Sequence, residues 1–335
     1  MQPSQTPIGE TQSMPRSLTG TLKDYLALTK PRVATLVLFS VAAGSILAAL
    51  ANNLTVDWVQ VGWLVLGAAL VSSSASAFNQ AMEIRTDGLM VRTAKRPLPA
   101  RRISKTEAWG FGIVTGIVGM AILLTKGDPM GAWVALVTHL SYVLVYTPLK
   151  TRTNLNTLIG AIPGALPPVI GYVGVVGHIE PPCAVLFAVL FLWQIPHFLA
   201  IAWMYKDQYA GAGMHMLTVK DTSGRATAAQ MRNYTLAMMA TASFPILIQG
   251  RVHGWWDLVY LTGASAVGGW FLWSTILFQK KPCFDTAKIV LRVSLMVLPL
   301  LLLLLCLDTW IARSAGVNPV LVSILPSIPP MEQSP

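Results

Sequence analysis

Apolar side chains run along this chain in blocks long enough to cross a bilayer, separated by short polar connections. A helix rising 1.5 Å per residue needs about 20 such positions to span the hydrocarbon core. Nine blocks meet that requirement, at roughly 34–51, 58–78, 108–125, 131–147, 157–177, 183–204, 232–250, 256–278 and 289–312. The pattern predicts an all-α integral membrane protein with nine transmembrane helices filling 23–312. A polar stretch rich in Pro, Ser, Thr and Gln occupies 1–22 and reads as a disordered tail, and a Pro- and Ser-rich tail fills 313–335. Two connections are longer than the rest, Asn79–Lys105 and Tyr205–Met231.

Composition sharpens this picture. Apolar residues make up 54% of the 335 positions and charged residues 11%, whereas a water-soluble domain carries about 25% charge. The net charge of +10 suggests nucleic acid until the basic residues are placed on the topology. With the N-terminus cytoplasmic, all but Lys126, Arg251 and Arg313 of the 24 Lys and Arg fall on the cytoplasmic side, as the positive-inside rule requires. That asymmetry sets an orientation in a cell (inner plasma) membrane and explains the basic balance without nucleic acid. Cys183, Cys283 and Cys306 are scattered and define no disulfide framework or CxxC metal site.

The chemistry-bearing residues gather in the two long loops, both cytoplasmic in this topology. In the first, Asn79, Glu83 and Asp87 stand at steps of four. On a helix each step drifts only about 40°, so the three form one polar stripe about 12 Å long that extends span two out of the lipid. Magnesium takes oxygen ligands and holds one or two carboxylates plus substrate phosphate oxygens; Glu83 and Asp87 supply carboxylates and Asn79 a neutral carbonyl. Arg92 and Arg96 suit bidentate contact with phosphate, and Lys95 adds a point charge. The alternative is a set of juxtamembrane charges holding lipid headgroups. In the second loop Tyr205, Lys206, Asp207 and Tyr209 follow span six directly. Asp207 could complete a metal position and the others contact diphosphate, or the group is an interfacial aromatic belt with a snorkelling lysine.

Three segments in order carry a resemblance: NQAMEIRTDGLMVRTAKRPLP, VYTPLKTRTNLNTLIGAIPGALPPVIGY and FLWQIPHFLAIAWMYKDQYAGAGMHML. They resemble the successive signatures of the protoheme IX farnesyltransferase (haem O synthase) branch of the UbiA-type membrane prenyltransferases, from Leu28 to about Gln230. The resemblance implies a nine-helix bundle around a lateral cavity, with magnesium-bound diphosphate at its cytoplasmic mouth. Asn79, Glu83 and Asp87 then match the first acidic motif and Asp207 the second. Lys30, Arg32, Tyr146 and Lys150 match polar positions that face the diphosphate. The sequence departs from the pattern at Glu83, where many relatives carry Asp, and at Gln208, where many carry a second acid.

The implied reaction moves farnesyl from farnesyl diphosphate to a vinyl group of haem b, giving haem O and diphosphate within haem A synthesis, and makes a haem A-forming oxygenase a candidate partner. Glycines and prolines of span five suit close approach of helices or of a planar ligand. His197, ionisable within span six, is a candidate haem ligand or proton acceptor, with a hydrogen-bonded structural role equally open. Two rivals remain: a prenyltransferase of the same superfamily acting on an aromatic quinone precursor, and a polytopic transporter without chemistry. Transporters place ionisable groups near the midplane, whereas these carboxylates cluster at one rim.

Overall fold

The computed structural model describes residues 18–249 and 255–316, apart from the side chains of Leu18, Thr19, Arg32, 244–249 and Trp256. Most of the two expected tails therefore lies outside the described residues. All regular structure within them is helical. A short helix α1 (Leu18–Leu28) leads into α2 (Pro31–Ala51) and α3 (Trp58–Met82), followed at once by the brief α4 (Ile84–Gly88). Next come α5 (Lys105–Lys126) and α6 (Pro129–Leu140); α6 continues through a π-helical segment, Ser141–Tyr146, into α7 (Thr147–Leu149). α8 (Asn156–Ala165) and α9 (Pro167–Val176) form one crossing, and α10 (Pro181–Met204) the next. α11 (Lys206–Gly211) and α12 (Leu217–Lys220) sit in the second long loop, and α13 (Arg225–Gln249), α14 (Trp255–Lys280) and α15 (Phe284–Ser314) complete the bundle.

Eight crossings among the described residues are long and apolar enough for a bilayer. The ninth expected span, 232–250, corresponds to α13, a 25-residue helix that opens on the polar run RATAAQMRN. It packs between α10 and α14. The helices close a ring in which α2 contacts α3, α9 and α15, α3 packs along α5, and α10 touches α8, α13 and α15.

Local sequence explains the breaks. Asp57 caps α3 by accepting from the backbone N–H of Val59 and Gln60. Ser104 and Glu107 form a reciprocal capping box at the start of α5, and Asp128 caps α6. Pro167 and Pro168 end the hydrogen-bond ladder of α8 at Leu166, splitting span five in two. Pro196 does not break α10, which runs through it unbroken.

Span five is held by close backbone approach. A Cβ at Gly44 of α2 would collide with Pro168 O of α9, and one at Gly171 of α9 would collide with Val41 O of α2. Ser45 Oγ stitches the same seam by donating to Gly171 O at 3.1 Å. Gly160 lies against the Tyr146 ring, Gly164 against Gln194 and Gly174 against Leu64. These glycines serve helix packing.

The connections fall at two ends of the bundle. One end carries Lys30, 79–104, 150–155 and 205–224. The other carries Asn52, whose side chain donates to Glu180 Oε2 at 3.1 Å, with Tyr172 O–H donating to the same oxygen at 2.5 Å. Replacing Gly44 or Gly171 by Ala should cost about 3 kcal/mol through overpacking against rigid backbone. Unfolding in detergent checks this, and wild-type stability in both variants would refute the tight α2–α9 seam.

Candidate active site

The polar row crosses the bend between α3 and α4, where Glu83 leaves helical geometry (φ −96°, ψ 12°), because two i to i−4 hydrogen bonds bracket it. Glu83 N–H donates to Asn79 O at 3.0 Å and Asp87 N–H to Glu83 O at 2.8 Å. The step-of-four spacing therefore continues through α4, and all three side chains stay on one side. Asn79, Glu83 and Asp87 are only 0, 9 and 1% exposed.

Each member of the row meets a partner from a different part of the chain. Lys30, in a left-handed backbone conformation (φ 50°) between α1 and α2, donates from Nζ to Asn79 Oδ1 at 2.7 Å. Gln80 Nε2 reaches Leu28 O at 2.9 Å and pins the end of α1 beside it. Lys150 Nζ pairs with Glu83 Oε1 at 2.7 Å and lies 4.7 Å from the centre of the Tyr146 ring. Arg96 Nη1 pairs with Asp87 Oδ2 at 2.7 Å, while Thr93 Oγ1 donates to Asp87 O at 2.8 Å.

Electrostatics follow from this geometry. Burial alone would raise the Glu83 pKa, but Lys150 and then Lys30 hold it below the ordinary carboxylate value. Burial would lower Lys150, and the Glu83 charge overrides it, raising the ammonium pKa. Lys30 goes the other way: burial, reinforced by Arg96 and Lys150, lowers it to about 7 against the pull of Glu83 and Asp87. Three basic groups thus surround two carboxylates, and one of them titrates near neutrality.

The second loop docks on the first through residues other than its acid. Arg92 N–H donates to Gln208 Oε1, and Arg92 Nη2 donates to Tyr209 O–H, each at 3.1 Å. The Arg92 guanidinium also lies 4.9 Å from the Tyr205 ring centre and 5.9 Å from that of Tyr209. Met90 packs with Ala202, Tyr209, Ala212 and Met214 beneath this clasp. His215 N–H donates to Lys150 O, and Asn156 Nδ2 donates to His215 O, so the loop also holds the segment bearing Lys150. Lys206 lies over the Trp203 ring at 4.3 Å. Asp207 and Lys95 are exposed, and the Arg32 side chain lies outside the described residues.

The structure thus brings together Asn79, Glu83, Asp87, Lys30, Arg96, Lys150 and Tyr146. Arg92, Tyr205 and Tyr209 form the adjoining clasp, and Asp207, Lys95 and Lys206 stand apart from the row. A cavity of about 120 Å³ opens beside it, lined in part by Glu83, Thr86, Thr147, Lys150, Thr151 and Met214.

Among the described residues no three His, Cys, Asp or Glu side chains converge into a metal cluster. The row nevertheless fits a hard divalent cation that draws its remaining ligands from water and phosphate, because its donors are all oxygens: one amide and two carboxylates. Deeper in the bundle, His197 Nδ1 shares a 2.8 Å hydrogen bond with Ser294 Oγ, and its ring stacks on Trp193 with centres 5.1 Å apart.

Sequence reasoning did not single out Thr147, whose hydroxyl accepts from Asn79 Nδ2 at 3.1 Å. It sits between Tyr146 and Pro148 with nothing in its spacing to mark it. Gln208 stood out only as the residue that replaced an acid; its carbonyl joins the loops.

An all-helical bundle of membrane-spanning length, with a buried carboxylate row and clustered cations at one end, is the arrangement of a membrane-embedded prenyltransferase. The UbiA prenyltransferase family profile matches residues 37–296. The chain is 40% identical over 293 residues to the protoheme IX farnesyltransferase of Solibacter usitatus, covering 86% of this chain and 99% of that protein. It is 41% identical over 288 residues to the enzyme of the same name from Rhodopirellula baltica, covering 84% and 98%. Among solved structures, that of digeranylgeranylglyceryl phosphate synthase shares the fold at TM-score 0.67 and 19% identity, covering 87% of this chain and 99% of that one. A UbiA homologue from Archaeoglobus fulgidus bound to DMAPP and Mg2+ shares it at TM-score 0.56 and 13% identity, covering 82% and 98%. The chain belongs to the UbiA prenyltransferase family and, within it, groups with the protoheme IX farnesyltransferases.

Two outcomes follow from the charge arrangement. Glu83→Gln leaves Lys150 without its counter-charge and should cost about 3 kcal/mol, most of it regained when Lys150→Met is added; denaturant unfolding of the three variants reads this directly. Lys30 has a folded pKa of about 7 against 10.5 unfolded. Between those values the unfolded chain holds more protons, so the Lys30 contribution makes stability rise with pH from about 7 to 10. Melting temperatures across that window should show a flatter profile in Lys30→Met, and an unchanged slope would contradict the assignment.

Proposed function

We propose that this chain transfers the farnesyl group of farnesyl diphosphate to a vinyl group of haem b, releasing diphosphate and giving haem O. The observation that carries the reading is the buried row Asn79–Glu83–Asp87, with Lys30, Lys150 and Arg96 around it at the mouth of an apolar bundle. Such a mouth accepts an anionic head with a hydrocarbon tail in the bundle. Similarity to protoheme IX farnesyltransferases over nearly their full length supports haem b as the acceptor.

Chemically, the allylic C–O bond must break, leaving an allyl cation and diphosphate. Magnesium held through Asn79, Glu83 and Asp87, when bound, neutralises part of the leaving group's charge. Arg96, Lys150 and Lys30 supply the remaining positive charge from fixed positions in a site with little water, where it is worth most. The apolar helix walls keep solvent from the cation until the vinyl π-electrons form the new C–C bond. Water then adds to the resulting haem-side cation and loses a proton, which balances the hydroxyethylfarnesyl product.

Asp207, Arg32, Lys95, Lys206, Tyr205 and Tyr209 remain candidates for diphosphate contact on loop closure, and Arg92 for the hinge between the loops. His197 keeps Nε2 for haem iron while Ser294 fixes Nδ1. The excess of Lys and Arg on the site's end supports a cytoplasmic orientation for that end, and the inner membrane is the proposed location of the bundle. A haem A-forming oxygenase is the partner class that consumes the product.

Purified chain incubated with haem b, farnesyl diphosphate and magnesium should yield the adduct mass, and Asp87→Asn should lower turnover by about 100-fold while remaining inserted and folded. Prenylation of 4-hydroxybenzoate without a haem adduct would replace the acceptor, and full turnover in Asp87→Asn would remove the row from the chemistry.

A further inference from the structure

The π-helical segment Ser141–Tyr146 interrupts the fourth crossing immediately before Thr147. Such segments shift the register of the residues that follow and recur at functional sites. Here Thr147 is buried, 5% exposed, and both its backbone N–H and its hydroxyl donate to Tyr142 O, the hydroxyl at 2.9 Å. With its proton directed there, the Thr147 oxygen is left as an acceptor. It receives Asn79 Nδ2 at 3.1 Å.

This matters because a side-chain amide has two ends of nearly the same shape and a broad terminal torsion. Nothing in the covalent structure of Asn79 decides whether oxygen or nitrogen faces the site. The surroundings decide it. With nitrogen toward Thr147, Oδ1 meets the Lys30 ammonium at 2.7 Å. Turned over, the NH2 group would face that ammonium and the carbonyl would face a hydroxyl lone pair, and both contacts are repulsive.

We propose that Thr147 is a positioning residue that locks the Asn79 amide with its oxygen toward the cation and diphosphate. The inference rests on the reading of the row as a magnesium–diphosphate site, and it assigns a role to a residue that acts through Asn79.

Calorimetric titration of the purified chain with magnesium and inorganic pyrophosphate tests it without turnover. Thr147→Val keeps the shape and loses the acceptor, so binding should weaken at least about tenfold, the size expected for one buried polar group left unpartnered. Thr147→Ser keeps the hydroxyl and should stay within about threefold of wild type, by the same reasoning. The ligand-free melting temperature should fall in Thr147→Val, which leaves Asn79 Nδ2 without its acceptor, and stay near wild type in Thr147→Ser. Should Thr147→Val fail to insert, Thr147→Ala against Thr147→Ser carries the same comparison. Tight wild-type binding left untouched by the loss of the hydroxyl, or equal weakening by Ser and Val, overturns the inference alone. Wild-type chain that binds no magnesium pyrophosphate overturns the diphosphate reading and this inference with it.

Discussion

Carboxylates cannot be buried at the end of an apolar bundle without counter-charges, since an isolated buried ion costs far more than any packing gain repays. Glu83 and Asp87 meet that demand with Lys150 and Arg96, each at 2.7 Å. The partners come from different places: Lys150 from beyond the fourth crossing, Arg96 from the first loop itself, and Lys30, on Asn79, from ahead of α2. The row is therefore assembled only when three distant parts of the chain arrive together. Its geometry depends on how rigidly the helices carrying them are packed. The α2–α9 seam, where Gly44 and Gly171 let backbones touch, fixes the helix that Lys30 precedes.

Charge balance also separates the site from a passive headgroup patch. A headgroup-binding surface keeps its lysines in water, whereas Lys30 is half-buried against Asn79 and its pKa falls to about 7. Lys150 and Arg96 are each paired with a carboxylate, whereas Lys30 meets the neutral Asn79 amide. A transporter would set its ionisable groups midway through the bundle at broken helices. Here the helix broken within span five, between α8 and α9, carries no charge at the break, and the carboxylates lie at one rim.

The spacing of apolar blocks reveals the crossings because a bilayer imposes a single length on each of them. α13 is the element least visible in that pattern, since its first turns are polar and project beyond the blocks. The polar row was legible because its period is helical, and it stayed legible across the bend at Glu83 because i to i−4 bonds from Glu83 to Asn79 and from Asp87 to Glu83 bracket it. What periodicity cannot say is which cation meets which carboxylate. Arg92 and Arg96 look alike in sequence, yet Arg96 enters the row and Arg92 turns to Tyr209 and Gln208. Similarly, His197 and Ser294 are 97 residues apart, and no local signal links them. Three acidic residues outside the row, Asp57, Glu107 and Asp128, cap helix starts, a role that local sequence does encode.

The Arg92 clasp gives the two loops a shared mechanical fate. Arg92 lies four residues ahead of Arg96, which holds Asp87, and its own hydrogen bonds end on Gln208 and Tyr209 of the second loop. Glutamine suits this point better than an acid for a simple reason. A neutral carbonyl accepts from the Arg92 N–H without drawing the guanidinium away from Tyr209, whereas a carboxylate there would compete for that charge. The departure at Gln208 therefore trades a negative group for a neutral joint. It leaves the Arg92 guanidinium on the Tyr209 hydroxyl rather than on a carboxylate, beside a site whose chemistry is the departure of an anion.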